Sequence, residues 1–312
     1  MHIPRLRNIP RNIRPWLEVR RDKILRAWAR RLSAVLLRFF REPVCADTLT
    51  TIRKLAAERA SFSRFGDAEI MLVGKLSIWY QHRTRPLVKR MRQILRGGVP
   101  GLEVGLPIRF CPAEYARLLP APKAHWEGER RRFGGWWICF TRKGFPYLNA
   151  SATRPYIDIQ DAAYAAEVFA AWRTVWEGRD IVFVEGEASK LGVGNDLFEN
   201  TKSIHRILAP ADHAYRVHDR LLSVCLAQPK DTLFLLALGP TATVLAADLH
   251  ACGRQAIDVG HIDIEYELYR MGAAEKLPIP GKRFNEARDS AAEGMRSPAQ
   301  TQYEREIICR VE

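Results

Sequence analysis

Two acidic pairs share one spacing. Asp67 and Glu69 lie two apart in Arg64-Phe65-Gly66-Asp67-Ala68-Glu69, and Asp263 and Glu265 lie two apart in Gly260-His261-Ile262-Asp263-Ile264-Glu265. Paired carboxylates are hard oxygen ligands, suited to Mg²⁺ or Mn²⁺ held jointly with a substrate's phosphates. The same groups, with His261 beside them, can also take a proton as a general base. Structural roles compete: Asp67 can cap a helix, Glu69 can favour its first turn through the dipole, and His261 can be a satisfied core histidine.

Two glycine-rich stretches carry a second kind of chemistry. The first runs Glu185-Gly186-Glu187-Ala188-Ser189-Lys190-Leu191-Gly192-Val193-Gly194-Asn195-Asp196. Glycines such as Gly192 let backbone amides approach an anion, and Lys190 adds charge. Glu187, Ser189, Asn195 and Asp196 supply further polar groups. The spacing is neither a Walker A loop nor GxGxxG, and Asn195 or Asp196 could simply cap a helix. The second stretch, Leu238-Gly239-Pro240-Thr241-Ala242-Thr243, reads as a strand, a glycine turn and a helix start. Gly239, Pro240 and Thr241 could cradle a phosphate there, or Thr241 could be a cap in a tightly packed turn.

The elements that position these residues follow from periodicity. Strands are predicted at Ser61–Phe65, Leu102–Ile108, Trp136–Thr141, Asp180–Val184, Thr232–Leu238, Ala256–Val259 and Ile307–Val311. Helices are predicted over 48–60, 68–80, 86–96, 112–119, 122–133, 161–177, 195–208, 212–227 and 241–252. The tail from about 281 reads as polar and loop-rich. Alternating strands and helices imply an α/β fold, with a mostly parallel sheet covered by helices on both faces. In such sheets ligands bind beyond the carboxyl ends of the strands, and all four clusters directly follow a predicted strand.

Composition sets the outer limits. The chain has 312 residues, of which 47% are hydrophobic and 27% charged, so it can bury a core and is not disordered. The formal charge is +14, but residues 1–41 hold twelve Arg and Lys against Glu18 and Asp22. The rest is nearly balanced, which argues against a nucleic-acid partner. Residues 16–40 read as a basic amphipathic helix. Leu17, Ile24, Leu25, Trp28, Leu32, Val35, Leu36 and Phe39 share a face; Arg20, Arg21, Lys23, Arg26, Arg30, Arg31 and Arg38 fill much of the remainder. Such a helix can pack on the body or on a second copy in a homodimer, the favoured reading, or lie on an anionic membrane surface. The six cysteines are scattered, as expected of reduced core residues in a cytoplasmic protein. Neither a membrane span nor a signal peptide is expected. The division expected is a helical extension over 1–45 and a catalytic body over 46–312.

RFGDAE (64–69), VEGEASKLGVGNDLF (184–198), SIHRILAP (203–210), LALGPTATVLAADL (236–249) and DVGHIDIEYE (258–267) together resemble the GT-D-type glycosyltransferases of bacteria. The resemblance covers about residues 48–290. It implies a Rossmann-like fold, a UDP-sugar donor such as UDP-glucose, a divalent cation (Mn²⁺ or Mg²⁺) and an Asp-x-Glu metal motif. On that footing Asp67 and Glu69 are expected to hold the metal, because they follow the first strand beside Arg64. Asp263, Glu265 and His261 are expected on the acceptor side, one acting as base. Arg64, Gly66, Glu187, Ser189, Lys190, Gly192, Asn195, Asp196, Gly239, Pro240 and Thr241 are expected to bind the nucleotide sugar. The acceptor is expected to be a glycan, a glycoprotein or a lipid-linked intermediate. The last would suit a basic helix at the inner membrane face. The chain departs from the family's usual pattern at Ala68 (glycine), Lys190 (arginine) and Leu268 (tryptophan). Lysine keeps a charge but loses arginine's bidentate fork.

Overall fold

The structure is a computed structural model and describes residues 14–282 and 298–312, with side chains over 18–282 and 301–312. The loop-rich tail expected from 281 falls largely on 283–297, outside the described residues, as does the side chain of Leu17. The first half runs α1 (Arg14–Phe39), α2 (Thr48–Ala57), β1 (Phe62–Arg64), α3 (Asp67–Val73), α4 (Arg85–Leu95), β2 (Glu103–Leu106), α5 (Pro112–Tyr115), α6 (Pro120–Phe140) and β3 (Leu148–Asn149). The second continues with α7 (Ala162–Trp176), β4 (Asp180–Gly186), β5 (Ser203–Ala209), α8 (His218–Leu226), β6 (Leu233–Ala237), α9 (Pro240–Ala251) and β7 (Gln255–Asp258). After it come α10 (Ile262–Arg270), α11 (Pro298–Glu306) and β8 (Ile307–Arg310).

Among the described residues the strands form one sheet of eight, in the order β3-β2-β1-β7-β6-β4-β5-β8, every neighbouring pair parallel. From β1 the chain moves toward β2; from β7 it moves to the opposite edge, where β8 lies. Adjacent strands whose connections diverge leave a crevice at their carboxyl ends.

Alternation along the strands divides the core. Phe62, Ile181, Phe183, Leu235 and Ile257 face the layer that holds Phe169, Trp172 and Trp176 of α7. Val182, Val184, Phe234 and Leu236 face α8 and α9 through Leu221, Leu245 and Leu249. Val104 and Leu106 meet α3, α4 and α6. A strand buried on both sides must be apolar at both parities, which is why DIVFV and LFLLA read so clearly. Each such side chain contributes about 1.5–3 kcal/mol when fully buried.

Three expected elements are corrected. Trp136–Thr141 is not a strand but the last turns of α6. Phe133, Trp136 and Trp137, at steps of three and four, lie on one helix face, and the Trp136 ring sits against Gly74, where a Cβ would come within 2.0 Å of it. Aromatic residues favour strands locally, but this packing decides. Residues 195–208 are not a helix. Turns occupy 187–202, and β5 follows, paired with β4 from Asp180↔Ser203 to Gly186↔Ala209. That ladder outweighs the local pattern. The helix expected over 68–80 stops at Val73, capped at Gly74.

The N-terminal helix exists as α1 and packs along α6. Gly134 and Gly135 allow the close approach: a Cβ on Gly135 would lie 2.9 Å from the Ser33 amide nitrogen. The Ser33 hydroxyl donates to the Ala29 carbonyl (2.8 Å) and accepts from the Gly135 N–H (2.9 Å).

Candidate active site

A cleft of about 1250 Å³ lies at the carboxyl ends of the central strands. Its floor joins the two halves of the sheet. Arg64, the last residue of β1, reaches Asp258, the last of β7, with Nε 3.2 Å from Oδ1. The guanidinium also donates to the Ala150 carbonyl (2.9 Å) and to the Thr153 hydroxyl. Gly260, at φ +48°, leaves room for it. Burial pushes the Asp258 carboxyl up, while Arg64 opposes that shift.

Beside this pair the chain turns from β1 into α3. Gly66 is the N-cap residue; its N–H donates to Glu69 Oε2 (2.8 Å), and Asp67 Oδ1 accepts from the Ala68 N–H (2.9 Å). The rival role is met only in part: Glu69 sits in the first turn and accepts from the cap, but the cap is Gly66 and not Asp67, and one oxygen of each carboxylate is occupied. Among the described residues no hydrogen bond reaches Asp67 Oδ2 or Glu69 Oε1. Burial, with the neighbouring charges of Asp258 and Asp67, pushes the Glu69 carboxyl up to about 7 despite the Gly66 bond. Glu69 thus feels the negative charges of both Asp258 and Asp67, and a divalent cation would relieve that repulsion. No cluster of three or more metal-type ligands exists among the described residues. The donor set thus fits a cation that takes two carboxylates and completes its shell with phosphate and water.

The opposite wall starts at the N-terminus of α9. Gly239, at φ +53°, borders the cleft under Tyr80. Pro240 and Thr241 lie beneath it, buried, and the Thr241 hydroxyl donates to Gln81 Oε1 (3.0 Å). Gly186, Ser189 and Leu191 border the cleft from the β4 end, and His261 from the β7 end.

The second acidic pair faces inward. Glu265 Oε2 accepts from the Tyr156 and Ile157 N–H groups (3.2 and 3.1 Å), and Oε1 lies 3.4 Å from Arg154 Nε. Glu265 does not border the cleft, and burial pushes its carboxyl up. Asp263 borders the cleft, but its Oδ1 accepts from the Gly192 N–H (2.9 Å) and Asn195 Nδ2 (2.7 Å), and its Oδ2 from Lys282 Nζ (2.7 Å). Both carboxylates hold loops in place.

The cleft therefore brings together Arg64, Gly66, Asp67, Glu69, Ser189, Gly239, His261 and Asp263. It does not include Glu187, Lys190, Gly192, Asn195, Asp196, Pro240, Thr241 or Glu265. Glu187 is exposed and pairs with Arg310 (3.0 Å). Lys190 Nζ lies 5.9 Å over the Tyr303 ring of α11. Asp196 takes Arg173 (2.7 Å) and the Tyr266 hydroxyl (2.9 Å). Gly192 and Asn195 serve Asp263.

The lining residues missed include Trp79, Tyr80, Trp126 and Arg154. Trp79 and Tyr80 sit in the loop after α3, in a stretch read as helix; Gly74 was the available stop signal. Arg154 follows β3, which is only two residues long and offers no apolar run. Trp126 lies in the second turn of α6, where nothing local marks it.

Comparison with known proteins gives consistent results. Residues 62–287 match the family described as "Glycosyltransferase GT-D fold". Over 236 residues the chain is 33% identical to the "Probable glycosyl transferase Gly" of Streptococcus gordonii, covering 74% of this chain and 34% of that protein. Over 252 residues it is 35% identical to "Glycosyltransferase GlyD" of Streptococcus pneumoniae, covering 76% and 29%. The chain thus spans about a third of the length of these curated relatives. A solved structure of domain of unknown function 1792, described as having a distinct glycosyltransferase fold, superposes with a TM-score of 0.80 at 35% identity, covering 91% of this chain and 98% of that one. Another, described as a new glycosyltransferase from Streptococcus sanguinis, gives 0.79 at 32%, covering 87% and 100%.

Proposed function

The chain belongs to the GT-D glycosyltransferase-fold family, and from that premise we propose that it transfers a hexose from a UDP-sugar, UDP-glucose or a close relative, to a glycan, glycoprotein or lipid-linked acceptor. One observation carries the reading. A single cleft joins the Asp67/Glu69 pair, Arg64, the Gly239 start of α9 and His261 at the carboxyl ends of the strands. Acids that would repel a diphosphate by themselves become its partners when a cation lies between.

Asp67 Oδ2 and Glu69 Oε1 would hold Mn²⁺ or Mg²⁺, which supplies charge neutralisation for the departing diphosphate. The N-terminus of α9 offers its dipole to the same phosphates. Arg64, fixed by Asp258 and Ala150, orients rather than wanders, which keeps the floor of the site preorganised. His261 takes the proton of the attacking hydroxyl; Asp263 is excluded from that role by its bonds to Gly192, Asn195 and Lys282. Trp79 and Trp126, on the cleft walls, offer faces on which an acceptor sugar can stack. We place the activity in the cytoplasm, which suits cysteines that form no disulfide.

The test is calorimetric binding of a panel of nucleotide sugars with Mn²⁺, with Mg²⁺ and with chelator. Binding of a UDP-sugar that disappears with chelator is expected. Binding of no nucleotide sugar under any metal condition would overturn the reading.

A further inference from the structure

We infer that the outer face of α1 docks the protein on an anionic lipid surface. The helix is already held in place before any docking. Its inner face is locked to α6 by Ala29, Ser33 and the Gly134-Gly135 step. Near its start Asp22 accepts from the Ser77 N–H (2.9 Å), and Arg21 donates to the Ser77 hydroxyl (2.9 Å). Just past its end Glu42 takes Arg109 (2.7 Å) and Arg130 (2.6 Å). Docking would therefore cost little ordering entropy.

The outer face has two components. Ile24, Trp28, Val35 and Phe39 recur at steps of four, seven and four, so they share one side of the helix. All four are exposed, Trp28 at 68% and Phe39 at 76%, and Phe40 and Val44 extend the apolar surface past the helix end. Arg20, Lys23, Arg26, Arg30, Arg31, Arg38 and Arg41 are exposed alongside them. The only acids between residues 14 and 41 are Glu18 and Asp22, and Asp22 is engaged by Arg21 and Ser77.

That composition selects the occupant. A second copy seated face to face would bring two sets of arginines together with almost no acid between them. A neutral apolar partner would leave the arginines unused. An anionic lipid surface takes both, burying the aromatic and aliphatic side chains at the headgroup boundary while phosphate groups meet the arginines. The helix would lie on the surface and not span it, because no helix among the described residues is long and apolar enough to cross a membrane. The position also fits an enzyme. Ser77, which α1 holds, is two residues from Trp79 in the cleft wall, and α6, on which α1 lies, begins in that wall at Pro120.

The experiment is vesicle flotation of the full chain with phosphatidylcholine alone and with phosphatidylcholine mixed with phosphatidylglycerol; it needs no donor and is independent of the proposed reaction. Binding to the mixed vesicles is expected to be at least about 25-fold tighter, each arginine near the surface contributing about fivefold. Arg31→Gln with Arg38→Gln should weaken it by roughly 25-fold on the same basis. Trp28→Ser with Phe39→Ser should weaken it by about tenfold or more. Both variants should keep the wild-type melting temperature, since the altered side chains are exposed. Equal binding to both vesicle types, or binding that survives both variants and so belongs to Arg5, Arg7 and Arg11, would overturn the inference. So would a dimer in sedimentation equilibrium that Trp28→Ser with Phe39→Ser abolishes, which would assign the face to a second copy.

Discussion

Replacing Gly260 by alanine should disable the cleft floor without replacing any charged residue. At φ +48° the new Cβ would stand 1.8 Å from Arg64 Nη2 and 2.7 Å from Cζ. An alanine in that backbone region costs about 1–2 kcal/mol. The guanidinium cannot retreat freely, because Asp258, Ala150 and Thr153 hold it. Losing hydrogen bonds to a charged group adds about 1.5–3 kcal/mol. The sum is roughly 3–5 kcal/mol, a fall in melting temperature on the order of 10 °C for a chain of this size. The assay is a double-mutant cycle by urea unfolding with Arg64→Ala. Once Arg64 is truncated, Gly260→Ala should cost only the backbone strain of about 1–2 kcal/mol, so the two effects should fall short of additive by about 1.5–3 kcal/mol. Strict additivity, or a Gly260→Ala protein as stable as wild type, would refute the claim that Gly260 exists to seat the Arg64 guanidinium.

Other expectations follow from the same contacts. Glu265→Ala leaves two backbone N–H groups and Arg154 without their buried carboxylate. It should lower unfolding free energy by about 3–5 kcal/mol and expose the Tyr156 and Ile157 amides to hydrogen exchange; an intact fold with only turnover lost would restore the base role. His218 lies 3.0 Å from Asp248 and 3.1 Å from Asp219. Burial by itself would lower its pKa, but the two aspartates prevail and hold it above the ordinary 6.5. The stability gap between wild type and His218→Gln should thus be full below pH 6.5 and shrink as pH rises through the folded value; a gap that widens toward alkaline pH would contradict this. Gly135→Val puts side-chain atoms 2.9–3.0 Å from the backbone of α1 at Leu32 and Ser33. Limited proteolysis should then release α1 while the sheet stays folded; unchanged protection of α1 would show that the helix does not depend on this step.

How much of this could be read from the chain depends on where the deciding contacts lie. β4, β6 and the helix α9 after β6 were legible because an apolar run followed by glycine is a local signal. Helix α6 was half missed because GWWICF has strand-like composition, and only the distant Gly74 and the α1 backbone show that its glycines and tryptophans serve a helix. β5 was missed because its stability comes from pairing with β4 across the turns at 187–202 and with β8 at Ile307–Arg310, neither of which a local pattern shows. The acid pairs teach the same lesson. Asp67/Glu69 and Asp263/Glu265 have identical spacing and both lie in a helix's first turn. What separates them is that the amides of Tyr156 and Ile157 and the ammonium of Lys282 reach one pair, while the other is left open to the cleft. The apparent phosphate loop at 185–196 divides likewise: Ser189 stays at the cleft, whereas Gly192 and Asn195 are drawn inward by Asp263.

The most direct test of the central claim is the affinity of UDP with and without Mn²⁺ for wild type and for Asp67→Asn combined with Glu69→Gln. Both replacements keep side-chain size, and the amide oxygen introduced by Glu69→Gln can still accept the Gly66 N–H. The account predicts tight Mn²⁺-dependent binding to wild type, loss of the Mn²⁺ dependence in the double variant and little change in melting temperature. Mn²⁺-dependent binding that persists in the double variant would contradict it, and would move the cation site away from Asp67 and Glu69.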